Sequence, residues 1–115
     1  MAEQAVVVTD TDGVIVYWSP GAEALLGWAA DDALGRRVDL VIPPRFHASH
    51  WAGFERAMSD PQIKDMAADL PLLCADGSER HLAGRLLALP DGLGSAAGAV
   101  AVYTDADETG VRPFG

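Results

Sequence analysis

The sequence predicts an α+β domain: a five-stranded antiparallel sheet with short helices inserted between its second and third strands and packed on one face. Three observations carry this. Two β-branched runs near the start flank an Asp-Gly turn, three strand-like segments fill the second half, and several short helix-like segments separate the two groups. Strands broken once by helices, without regular strand–helix alternation, suit a sheet with helices segregated to one face.

Composition sets the limits. With 115 residues, half of them hydrophobic, the chain can bury a real core as one domain without staples. A formal charge of -9 opposes nucleic-acid backbones and anionic membrane surfaces, and serves solubility. The single cysteine, Cys74, excludes an internal disulfide and is compatible with a reducing compartment; its plain role is a small strand side chain. The start lacks a basic, apolar signal pattern, and no apolar run reaches membrane-span length, so a cytoplasmic location off the membrane is expected.

Taken in order, Ala5 to Thr9 and Val14 to Trp18 form a hairpin around Asp10-Thr11-Asp12-Gly13. Ser19-Pro20 offers an N-cap followed by proline at the first helical position. The helix from Gly21 to Gly27 puts Ala22, Leu25 and Leu26 on one side and ends at a capping glycine. Asp31 to Leu34 forms another short turn before Gly35, and Val38 to Ile42 leads into a longer helix, Ile42 to Met58. After the polar stop Ser59-Asp60-Pro61, Met66, Ala68, Leu70 and Leu72 share one face of a strand ending at Cys74, and Pro71 marks it as an edge. Asp76-Gly77 turns into a strand from Arg80 to Leu89, and Pro90 to Gly94 loops into the last strand, Ala96 to Thr104. If Ala68, Gly84 and Gly98 face the helices, their small side chains leave a cavity there, unless Trp18, Trp28 or Trp51 fills it.

The Ile42–Met58 helix carries the candidate site. At 100° per residue, Phe46, Gly53, Phe54 and Ala57 lie within about 60° of His50, while Arg45, Ala48, Glu55 and Arg56 lie opposite. His50 therefore points inward, where an imidazole needs a partner. It is either a core histidine bonded to a backbone carbonyl or buried water, or a metal ligand. His47 sits about 60° round the wheel, and the same face offers no second ligand at zinc-like spacing. A metal held by one protein ligand on an apolar face implies a macrocycle, hence haem b.

The stretches VVVTDTDGVIVYWSPGAEALLGW, GRRVDLVIP, CADGSER and AVYTDADE together resemble a PAS domain, over about Val6 to Glu108, with 109–115 as a linker stub. The resemblance implies the PAS fold and a sensory or interaction module, not an enzyme, joined to a signalling effector and prone to homodimerise. Within that family IPPRFHASHWAGF is similar to the segment carrying the proximal haem ligand of FixL-type and direct-oxygen-sensor-type gas sensors. The Ile-Pro spacing of that segment matches His50 as the iron ligand. By the same resemblance, Met66 is a candidate sixth ligand displaced by oxygen, carbon monoxide or nitric oxide; an ordinary core methionine is the alternative. Ile42, Phe46, Phe54, Leu70, Leu86 and Val100 are expected as apolar walls. Those sensors also carry an arginine on the strand where this chain has Ala68, a departure that weakens the expectation of oxygen selectivity. The flavin photosensors need a cysteine where Val38 stands, which excludes photochemistry by that route and leaves noncovalent flavin open. The competing reading is a cofactor-free PAS interaction module with a tightly filled core. A small haem enzyme lacks a visible distal acid–base pair.

Overall fold

The computed structural model describes residues 4–59, 66–93 and 95–104, with the backbone alone for 66–68. The polar stop at Asp60-Pro61 and the linker stub lie outside the described residues. Local chemistry sets the first elements. β1 (Gln4–Thr9) and β2 (Ile15–Trp18) are joined by a turn in which Asp10 Oδ1 accepts the backbone N–H groups of Asp12 and Val14, both at 2.9 Å. Gly13 closes that turn at φ 79°, where only glycine is unstrained.

Ser19 caps α1 (Pro20–Leu26), its Oγ accepting from Ala22 N at 3.1 Å and from Val6 N at 2.8 Å. Gly27 ends the helix in the left-handed region. α2 (Ala30–Ala33) and two 3-10 turns, Val38–Val41 and Pro44–Phe46, follow, and then α3 (His47–Ser59). The helix expected from Ile42 thus begins later. Pro43 is extended, at ψ 138°, because a residue before proline is driven out of the helical region.

β3 (Met66–Leu73), β4 (Glu79–Pro90) and β5 (Ala96–Thr104) complete an antiparallel sheet of order β2-β1-β5-β4-β3. The edge position inferred from Pro71 is the one found. In the β3–β4 turn Asp76 Oδ1 accepts from Ser78 N and Oγ, at 2.9 and 2.6 Å. One sheet face supplies Ala5, Val7, Leu70, Leu72, Leu82 and Tyr103, all nearly inaccessible, to a core completed by Ala22, Leu25, Leu26, Val38, Val41 and Ile42. Cys74 is buried in the same cluster, as a small apolar side chain.

The register settles the questions left by the small residues. Ala68, Gly84, Tyr103 and Ala5 form one row across four strands. A Cβ on Gly84 would meet Leu70 Cδ1 at 2.6 Å and Tyr103 Cδ1 at 3.0 Å, so these two side chains take the space the glycine leaves. The sequence leaves a cavity and a tryptophan filler as alternatives; Trp18 lies beside Val7 of β1, its Nε1 donating to the Trp28 carbonyl at 2.8 Å. Gly98 lies against the Thr9 carbonyl, where a Cβ would collide with it, and it makes no opening toward the helices.

Candidate functional site

α3 has no fully buried residue, and its partly covered side holds His47, His50, Trp51, Gly53, Phe54, Ala57 and Met58. That side runs from Gly53 to Trp51 and is centred between His50 and Phe54, about 20° from His50 on the wheel, so the inward stripe reaches further toward Trp51 than the sequence expectation. Tertiary partners cause the extension. Trp51 Nε1 donates to Asp39 Oδ2 at 3.2 Å, Arg37 lies over the indole with its Cζ 3.9 Å from the ring centroid, and the ring edge rests on Gly13.

His50 remains inside. Its ring meets Trp51 edge-on at 4.6 Å between centroids and Phe54 at 6.2 Å, and its Nδ1 is sealed from solvent. Burial pushes the imidazole pKa down from 6.5 to about 4; the Asp39 charge opposes this shift, and His47 and Arg37 add to it. At neutral pH the ring is therefore uncharged, the form that ligates metals. His47 serves the fold instead, since its Nε2 is 2.7 Å from the Ile42 carbonyl and ties the start of α3 to the preceding turn.

The other expected site residues divide. Ile42 and Leu70 are buried in the core, and Phe46 and Leu86 pack partly buried against it. Phe54 joins the aromatic group around His50. Val100 is a correction: it pairs with Val8 and Leu87, whereas Tyr103 and Ala101 point into the core, so alternation places Val100 on the opposite sheet face. The Met66 side chain lies outside the described residues; its backbone pairs with Leu86 in the row of Ala101. Sequence reasoning missed Trp51, Arg37, Asp39 and Tyr103. A tryptophan directly after the inward histidine was the available signal for the first.

Among the described residues no group of three His, Cys, Asp or Glu side chains could hold a metal ion. None of the described helices is long and apolar enough to cross a membrane.

The family model for the PAS fold matches residues 2–109. The chain belongs to the PAS family. Among curated proteins, this PAS domain is 34% identical over 61 residues to the sensor protein FixL of Bradyrhizobium diazoefficiens, covering 51% of this chain and 12% of the relative. It is 27% identical over 77 residues to the oxygen sensor protein DosP of Escherichia coli, covering 65% of this chain and 10% of the relative. The chain thus spans about a tenth of the length of these relatives. Among solved structures, the PAS domain of a Colwellia psychrerythraea protein superposes with a TM-score of 0.77 at 22% identity, covering 90% of this chain and 86% of the other. A light-oxygen-voltage domain studied with a flavin analogue superposes at 0.70 and 26% identity, covering 91% and 79%. This is a PAS sensory domain.

Proposed function

We propose that this PAS domain binds haem b through His50 and reports a diatomic gas or the iron's redox state to a linked or partner effector. The observation that carries the reading is the neutral His50 imidazole, turned into an aromatic and apolar shell on the helix that follows Ile42-Pro43. A site with one protein donor suits an iron whose equatorial ligands come from a macrocycle, and does not suit a zinc cage. The oxygen-sensing relative named above supports the same class of signal.

The residues fit the group in donor chemistry. His50 would supply the nitrogen donor to the iron, with Phe46, Phe54, Ile42, Leu70 and Leu86 as the apolar lining and Met66 as the candidate for a second donor. Haem, when bound, supplies the gas-binding and redox-active iron. The chain's own part is to hold His50 neutral, exclude water with its aromatic neighbours, and set the polarity opposite the histidine. Leu70 and Tyr103 stand over Gly84, so a bulky group held against this part of the sheet would have to displace them. The filled space over Gly84 favours a second reading, a cofactor-free PAS module that acts by dimerisation.

Haem titration of the purified domain separates the two. One haem per chain with a Soret band that shifts on reduction and again under carbon monoxide supports the sensor. Only the spectrum of free haem supports the interaction module.

A further inference from the structure

The strongest set of contacts that the proposed sensor leaves unexplained surrounds Trp51. This side chain touches His50 on one side and the β1–β2 turn on the other. Its indole meets the His50 ring edge-on at 4.6 Å, while the far edge of the six-membered ring lies against Gly13, where a Cβ would approach Cη2 and Cζ3 to 2.5 Å. Two charged groups bracket it: Asp39 accepts its N–H at 3.2 Å, and Arg37 covers its face at 3.9 Å. Arg37 is fastened to the same turn, and so is Val38, the residue between Arg37 and Asp39. Arg37 Nε donates to the Asp12 carbonyl at 3.2 Å, Arg37 pairs with Val14 in an isolated bridge, and Val38 N donates to the Gly13 carbonyl at 2.8 Å.

A side chain held by a hydrogen bond, a guanidinium stack and a glycine cradle has little freedom to absorb a displacement of its neighbour. We propose that Trp51 is the positioning residue of His50 and that it carries movement of the His50 ring to the Asp10–Val14 turn through Gly13, Arg37 and Asp39. The proposal rests on the reading of His50 as the iron ligand. It adds the output point: the end of the β1–β2 hairpin, away from the β3–β4 edge.

The test uses amide hydrogen exchange and the visible and resonance Raman spectra of the whole 115-residue chain. In the cofactor-free protein, Trp51→Phe removes the N–H donor and weakens the stack, and the Gly13 and Val38 amides exchange about tenfold faster, the scale of one lost hydrogen bond plus part of a cation–π contact. In the reduced, haem-loaded protein, carbon monoxide changes exchange at Gly13 and Val38 in the wild type. Trp51→Phe keeps its haem and loses that gas-dependent change, and on a Met66→Ala background, where the ferrous iron is left five-coordinate, it shifts the iron–histidine stretching band. Asp39→Asn retains a carbonyl acceptor for the indole and preserves the change, whereas Asp39→Ala weakens it; the Asp39 pair carries the test if Trp51→Phe does not fold. Haem-loaded variants with the wild-type iron–histidine band and wild-type gas response at the turn would overturn the proposal alone. A wild-type chain that binds no haem overturns the His50 reading and this proposal together.

Discussion

Acidification of the cofactor-free domain tests the buried state of His50 directly. An imidazole titrating near 6.5 when unfolded and at about 4 when folded takes up its proton more readily in the unfolded chain. Its folded pKa is depressed, so stability is intact above about pH 6.5, falls as pH drops from there toward 4, and levels off below. Between pH 7 and 4 the full displacement corresponds to about 2.8 kcal/mol, and roughly 2 kcal/mol once solvent screening of the partly exposed ring is allowed for. The assay is urea unfolding of the wild type and His50→Leu at half-unit steps from pH 7 to 4. Glu79 and Asp76, whose carboxyls are held low by Arg45 and Ser78 respectively, also lose stabilising interactions as pH falls, but they do so equally in both proteins. The difference between the two curves should therefore widen by roughly 2 kcal/mol, with the wild type losing more. Parallel curves would refute the placement of His50 in a desolvated shell.

Three further outcomes concern other positions. Gly84→Ala forces a methyl onto Leu70 and Tyr103 and should destabilise the cofactor-free domain by about 1–3 kcal/mol in urea unfolding; a neutral result would mean the row is loosely packed. Ser19→Ala removes the acceptor of two backbone N–H groups, Ala22 and Val6, and should cost about 1–2 kcal/mol by the same measurement, with Ser19→Thr costing less. Met66→Ala should leave haem bound and convert a six-coordinate ferrous spectrum into a five-coordinate one, read by visible absorption; an unchanged spectrum removes Met66 from the iron.

Much of the fold is legible in the sequence because its signals are local. Asp10 and Gly13, Ser19 and Pro20, Asp76 and Gly77 act within a few residues of themselves, and each produces the turn or cap its chemistry dictates. Pro71 could mark an edge because a missing N–H is intolerable inside a sheet. The phase of β5 is less legible. Ala96 to Thr104 is apolar on both faces until Tyr103, and only the packing of Tyr103 beside Gly84 assigns the faces, which is why the sequence expectation puts Val100 on the wrong one. The glycine at 84 announces missing volume, but nothing in the strand itself names Leu70 and Tyr103 as the side chains that take it up. For α3 the helical period shows that His50 points inward. The extension toward Trp51 depends on Arg37 and Asp39, which lie on a different element and reach the indole only in the folded chain.

The central claim is that His50 is the protein's iron ligand, and the visible spectrum of the haem-reconstituted chain beside that of His50→Ala tests it most directly. The account predicts a wild-type Soret band that shifts with dithionite and again with carbon monoxide at about one haem per chain, lost in a folded His50→Ala. Equal haem content and equal spectra in the two proteins would contradict it.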